Sequence, residues 1–233
     1  MASSNHSRQL MCLIKLFPKQ EYLDDLLRGI FYCNTPEFYR NHHGAGVGDK
    51  NESCISSYRI HRDLEAPILT INGHTIDGLE SMTVHGNGIK DSWLHCWFTF
   101  YLPETDEEFY SQIKDLKRVR EEFGKFFAII DGQHINQVAQ AIREQGHNVE
   151  YGAVLYSDKK VDWSARCKSS NYHYQREFRF LIDGCGSHDV EPKKVQLGSS
   201  VSSLFKANEK FEMKDSKSGE VLLSLSANGI EHI

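Results

Sequence analysis

Apolar and polar positions along the chain follow two periods, and the changes between them mark the elements. Leu10–Phe17 is a nearly continuous apolar run of strand length and predicts a buried strand. After Pro18, Tyr22, Leu23, Leu26 and Leu27 recur at helical spacing, and Gly29 ends that helix. Residues 30–34 predict a second strand, and Thr35-Pro36 opens a short helical turn, since Thr caps and Pro fits the first turn. Residues 41–52 form a polar, Gly-rich loop.

A β-rich stretch follows. Strands are predicted over 54–60 and 68–71, with Asn72-Gly73 as a hairpin turn because both residues tolerate positive φ, and again over 93–101. Phe109, Ile113, Leu116 and Phe123 make one helical stripe within 105–123, which Gly124 ends. A strand over 126–130 precedes a second amphipathic helix marked by Ile135, Val138, Ala139 and Ile142 and closed at Gly146. Residues 149–156 predict a strand, 157–170 a polar loop and 176–182 a further strand. Beyond Asp189 the chain is rich in Ser and Lys, with strands near 210–213 and 220–225.

About ten strands and three or four helices, with the helices early and central, predict an α+β fold with mixed, mostly antiparallel sheets. The 233 residues suit a single domain 1–233, with 1–9 as a flexible N-terminus and 189–233 as a β-rich C-terminal extension packed on it. Hydrophobic residues at 39% and charged residues at 25% describe a folded chain, and a net charge of −5 gives no overall basic excess for nucleic acid. No apolar run approaches the roughly 18 residues of a membrane span, and the first ten residues lack an apolar signal region, so no membrane association and a cytoplasmic location are expected. The cysteines at 12, 33, 54, 96, 167 and 185 are widely spaced without CxxC, as reduced core thiols would be.

Several stretches invite a chemical reading that their spacing does not support. The loop "HHGAGVGD", His42 to Asp49, has glycines at 44, 46 and 48, but a dinucleotide fingerprint needs G-x-G-x-x-G between a strand and a helix. A mobile loop bearing polar ligands suits it better. His42-His43, His95-Cys96 and Cys185 with His188 do not make the two paired clusters of structural zinc, so no metal is expected. His95, in an aromatic strand, reads as a hydrogen-bonded core residue. No G-x-S-x-G elbow is present.

The polar faces of two strands say more. Lys15 interrupts an apolar run where an unpaired charge is costly to bury, unless it snorkels to an edge. In "YHYQREFRFLIDG", Tyr172 to Gly184, strand alternation puts Gln175, Glu177 and Arg179 on one face and Arg176, Phe178 and Phe180 on the other. Glu177 is then either a catalytic carboxylate or the ion-pair partner of Arg176, Arg179 or Lys15.

The opening strand and helix, then "GIFYCNTPEFYR" (residues 29–40), "GDKNES" (48–53) and much later "REFRF" (176–180), resemble a large bacterial family of small proteins often associated with phage-defence loci. The layout over about residues 10–183 is also similar to the ADP-ribosyltransferase fold. There two early strands shape an NAD pocket and a late strand supplies the catalytic glutamate. The first strand offers Lys15 where many transferases place His or Arg, and the second has Cys33-Asn34-Thr35 in place of Ser-Thr-Ser. The resemblance implies NAD as co-substrate and Glu177 as the carboxylate that stabilises an oxocarbenium-like transition state. It implies Lys15 and Arg179 at the NAD phosphates, Tyr32 or Tyr39 stacked on nicotinamide, Thr35 in the cofactor pocket, and Arg40, Asp49 and Glu52 beside the acceptor.

The expected activity is that of an NAD-dependent ADP-ribosyltransferase, a toxin or anti-phage effector modifying RNA, DNA or protein and paired with an antitoxin protein. Its alternatives are a non-catalytic binding or sensor module, with the Glu/Arg strand as a structural ion network, and a nuclease in which Asp49, Glu52 and Glu177 converge. An NAD pocket of the expected kind requires Glu177, Lys15 and Tyr32 to line one cavity.

Overall fold

A computed structural model describes residues 8–44, 46–86, 90–207 and 210–232, with the backbone alone at Ser199 and Ser200. Residues 1–7 of the expected flexible N-terminus lie outside the described residues. In chain order the elements are β1 (Leu10–Phe17), α1 (Gln20–Leu27), β2 (Ile30–Cys33), α2 (Pro36–Asn41), β3 (Ser56–Arg59), β4 (Leu69–Ile71), β5 (His74–Ile76), β6 (Ser81–Val84), β7 (Asp91–Tyr101), α3 (Asp106–Phe123), β8 (Phe126–Asp131), α4 (Ile135–Glu144), β9 (Val149–Ala153), β10 (Leu155–Ser157), β11 (Cys167–Ser169), β12 (Glu177–Cys185), β13 (Lys193–Gln196), α5 (Ser199–Ser202), β14 (Lys206–Ala207), β15 (Phe211–Lys214), β16 (Val221–Ser226) and β17 (Gly229–His232). The fold is α+β with mostly antiparallel sheets and, among the described residues, five α-helices. None of those helices is long and apolar enough to cross a membrane.

A six-stranded antiparallel sheet in the order β14-β8-β1-β7-β12-β9 forms the frame. Because side chains alternate across a sheet, the register fixes which residues share a side. On one face Leu13 and Phe17 of β1, Trp97 of β7 and Phe178 and Phe180 of β12 pack under α1 (Leu23, Leu26), α4 (Val138, Ile142) and β2 (Phe31). On the other, Ile14, Leu16, Phe98 and Phe100 meet α3 (Ile113, Leu116) and the C-terminal sheet of β15, β16 and β17 (Met213, Leu223, Leu225). The C-terminal strands thus complete the core under one side of the frame.

Local chemistry accounts for the helix ends. Thr105 caps α3 by accepting from the Glu108 amide at 3.2 Å, while the Glu108 carboxylate accepts from the Glu104 amide at 2.9 Å, and three acidic residues fill the first turn. Thr35 does the same for α2, accepting from Phe38 N at 3.1 Å with Pro36 at the first helical position.

Three sequence expectations need correction. The stretch from Tyr172 does not run as one strand: Ser170–Gln175 forms a 3-10 helix, Arg176 takes a left-handed φ of 41°, and β12 begins at Glu177. That turn breaks the alternation, so Arg176 faces α3, with Nε 2.7 Å from Asp115 Oδ2, instead of sharing the side of Phe178. Residues 149–156 split at Val154 into β9, in the main sheet, and β10, which pairs in parallel with β11. The polar loop over 157–170 therefore contains a strand, and Lys168 lies in it.

Lys15 neither snorkels freely nor meets a carboxylate. Half-buried on the α1/α4 face, its Nζ donates to the Cys96 carbonyl at 2.7 Å and lies 5.9 Å from the Trp97 ring. Desolvation pulls its pKa below that of a free lysine. Such a lysine destabilises the fold while a solvated amine would be charged, and the cost lifts as pH rises toward 10.5. Lys15→Met is therefore expected to stabilise the chain by about 1 kcal/mol near neutral pH, read as a raised Tm. A fall of several degrees would show that the amine contributes to stability.

Candidate functional site

The polar face of β12 looks onto a buried ionic cluster. Arg179, 2% exposed in the middle of the strand, points its guanidinium at two carboxylates. Nη1 and Nη2 donate to Glu52 Oε1 and Oε2 at 2.8 and 3.0 Å, and Nε donates to Glu177 Oε2 at 2.7 Å. A further bond from Nη1 to the Ala165 carbonyl, 2.9 Å, uses the remaining side of the fork. Lys168 enters from β11, with Nζ 3.3 Å from both Glu177 Oε1 and Glu52 Oε2, 3.0 Å from Gln175 Oε1 and 3.9 Å from Asp49 Oδ2.

Asp49 and Glu52 come from the turn after α2, where Ser53 adopts a φ of 59° and the Glu52 amide donates to the Asp49 carbonyl at 3.0 Å. The cluster holds three carboxylates against two cations. Burial pushes Glu52 upward, but Arg179 and Lys168 outweigh it and hold the carboxyl at about 2. Asp49 has the weaker share of Lys168, and burial and the charge of Glu52 push it to about 6.

A second network joins this one through the Glu52 backbone. Arg40, 1% exposed, donates from Nη1 to the Glu52 carbonyl at 2.8 Å, from Nε to Glu37 at 2.9 Å and from Nη2 to Asp91 at 2.7 Å. Arg59 grips Glu37 from the other side at 2.6 and 2.7 Å, and burial of Glu37 is overcome by the two guanidiniums, which hold it at about 2. Three tyrosines surround the Glu177 end. Tyr156 Oη accepts from the Glu177 amide at 2.8 Å, the Tyr172 ring lies 4.6 Å from Lys168 Nζ, and Tyr39 packs beside Cys96 and Leu94. Burial raises the pKa of all three, so each phenol is neutral at ordinary pH.

Of the residues singled out in the sequence, Glu177, Arg179, Asp49 and Glu52 meet in one cluster, and Tyr39 lies beside it. The others do not. Lys15 is on the opposite face of the sheet, two strands away, so it cannot share a pocket with Glu177. Tyr32, 43% exposed, lies at the β2–β13 edge under Lys194, and its carbonyl accepts a hydrogen bond from His95. Thr35 is fully buried and spent on capping α2. Arg40 and Glu52 are interior ion-pair partners, which removes them from an acceptor border. His95 is the hydrogen-bonded core residue expected, stacked on Phe31 at 3.8 Å and held neutral by burial.

Lys168, Tyr156, Tyr172, Asp91 and Arg59 were not legible as site residues. For Arg40 there was one signal, its i,i+3 spacing from Glu37 in a helical turn. Lys168 gave none, because a three-residue strand carries too little alternation. A cleft of about 480 Å³ opens farther along the same sheet face, lined by Asp91, Ser92, Glu150, Arg166, Leu181 and Asp183. Among the described residues no group of three His, Cys, Asp or Glu side chains is placed to hold a metal ion, and between the carboxylates sit Lys168 and Arg179. No family model, curated protein or solved structure matches the chain.

Glu52→Gln leaves Arg179 and Lys168 short of a buried counter-charge and is expected to cost about 3–5 kcal/mol in chemical denaturation. With folded pKa values near 2, Glu37 and Glu52 stabilise the chain fully above about pH 4.5 and lose that contribution as pH falls toward 2. Acid titration followed by circular dichroism checks this; stability unchanged from pH 5 to 3 would contradict it.

Proposed function

We propose that the chain is a glycosyl-transfer enzyme of the ADP-ribosyl type, with NAD as co-substrate and Glu177 as the carboxylate that stabilises positive charge developing on the ribose. The observation that carries this reading is the immobilisation of Glu177. Arg179 fixes one oxygen and Lys168 the other, on a central strand and beside neutral tyrosines, while the side chain keeps 12% exposure against 2% for Glu52. A carboxylate preorganised by fixed charges stabilises a developing cation without reorganising during the reaction. As the bond between ribose C1′ and nicotinamide breaks, nicotinamide leaves with the bonding pair and an acceptor nucleophile forms the new bond to C1′.

The pocket differs from the expected one. Tyr32 and Lys15 do not line the Glu177 cluster, so Tyr39, with Tyr156 and Tyr172, is left for the nicotinamide, and Lys168 holds Glu177 and Glu52 and does not take over the phosphate role assigned to Lys15. Arg179 serves Glu177 instead of the NAD phosphates. The cleft begins four residues along β12, about 13 Å away at strand spacing, and takes the remainder of the dinucleotide. Asp49, buried beside Lys168, is a member of the cluster and leaves the acceptor border with Arg40 and Glu52. The acceptor is a macromolecule, and a part in phage defence, with a cognate antitoxin, rests on the resemblance of the sequence alone.

The engagement of both Glu177 oxygens favours a second reading, a non-catalytic binding module in which the cluster is a scaffold. The two separate on Glu177→Gln. For the enzyme, NAD-dependent labelling of cell extract and nicotinamide release fall by about 100-fold, on the order of 3 kcal/mol, while Tm drops by only a few degrees because Arg179 keeps Glu52. Wild-type protein that is folded yet releases no nicotinamide at millimolar NAD with extract present, or a variant as active as wild type, would sink the transferase reading. A large Tm loss with no wild-type activity is the scaffold outcome.

A further inference from the structure

Residues 46–49 run beside the cluster that holds Glu177 and are tied to its surroundings by two side chains and one backbone carbonyl. Gln175 Nε2 donates to the Gly46 carbonyl at 2.6 Å, Tyr172 Oη donates to the Gly48 carbonyl at 3.2 Å, and the Asp49 amide donates to the Tyr39 carbonyl at 3.1 Å. Gly46 has a φ of 74°, a backbone conformation that favours glycine, and lies against the Glu122 side chain of α3. The one side-chain charge the segment carries inward is Asp49, 3.9 Å from Lys168.

We propose that residues 46–49 form a strap beside the Glu177 face, closed when Asp49 is protonated and loosened when it is ionised. The basis is the charge count. Lys168 and Arg179 already serve Glu52 and Glu177 at 2.7–3.3 Å, so the third carboxylate enters a buried cluster in which both positive charges are taken. The groups facing Asp49 are Glu52 from its own turn, Lys168 from β11, Tyr172 from the 3-10 helix and Arg179 from β12. Burial and Glu52 outweigh Lys168, the Asn51 amide that donates to Asp49 Oδ1 at 2.9 Å, and Arg179, which places the titration of Asp49 near 6 while strapped against about 4 when solvated. A group whose pKa is raised in the closed form favours that form at low pH, and the advantage fades as pH rises from about 4 to 6. The strap is independent of which substrate the face accepts, so it can be tested without any activity.

The test is amide hydrogen exchange on the full chain at pH 5 and pH 8, each rate divided by its intrinsic value. Protection of the Asp49 amide is expected to be about tenfold higher at pH 5, following from titration at about 6 closed and about 4 open. Asp49→Asn keeps the shape without the charge and should hold the higher protection at both pH values. His42 and His43 lie exposed on the same loop, and the His42→Gln/His43→Gln variant should retain the wild-type pH dependence. Equal protection at the two pH values, dependence that survives Asp49→Asn, or dependence lost with the histidines would each overturn the strap. If Asp49→Asn does not fold, carbonyl NMR titration of Asp49 in the wild-type chain decides instead: a midpoint near 6 supports the strap and one near 4 overturns it.

Discussion

The fork between Arg179 and Glu52 is the contact on which the polar half of the molecule depends. A guanidinium in the middle of a central strand is costly to bury unless its donors are matched, and Glu52 matches two of them in the parallel geometry that suits a carboxylate. Once that pair is made, the turn carrying Glu52 has one place to sit. Its backbone carbonyl then meets Arg40, which draws in Glu37 and Asp91, and Glu37 draws in Arg59 from β3. One side-chain pair thus ties α2, the turn after it, β3, β7 and β12 together, beside the small apolar cluster of Leu94, Ala165 and Leu181.

The parity of the main sheet separates the two kinds of interior. Its α1/α4 face is filled mainly by Leu, Ile, Val, Phe and Trp97, with the amine of Lys15 and the neutral imidazole of His95 among them. Its other face is apolar under α3 and the C-terminal strands and again in the small cluster of Leu94, Ala165 and Leu181. Across β12 it turns ionic, because Glu177 and Arg179 alternate with the phenylalanines that enter the first face. The charged cluster therefore sits beside the core and not within it. That position lets Glu177 keep an edge toward solvent while Glu52 and Arg179 have almost none. A rigid carboxylate at the rim of a dry cluster can serve chemistry or simply complete a scaffold, and a three-to-two excess of carboxylates over cations leaves Asp49 sensitive to its protonation.

Elements whose information is local were legible in the chain alone. Continuous apolar runs gave β1 and β7, the 3.6-residue stripes gave α1, α3 and α4, and Thr35 and Thr105 marked helix starts through side-chain caps that need only neighbouring amides. The chain also isolated Glu177 and Arg179 as a polar strand face that demanded a partner. It did not determine which residues answer that demand. Lys168 and Glu52 lie 11 and 127 positions from Arg179, and nothing in their own surroundings signals the meeting. The placement of Lys15 opposite Glu177 likewise depends on the register of β1, β7 and β12, which side-chain period alone does not fix when residues on different strands are compared. Charge pairs act through space with no sequence period, whereas helix caps and apolar stripes repeat at fixed spacing. For that reason the framework was readable from the chain, and the composition of the site was decided only by the tertiary structure.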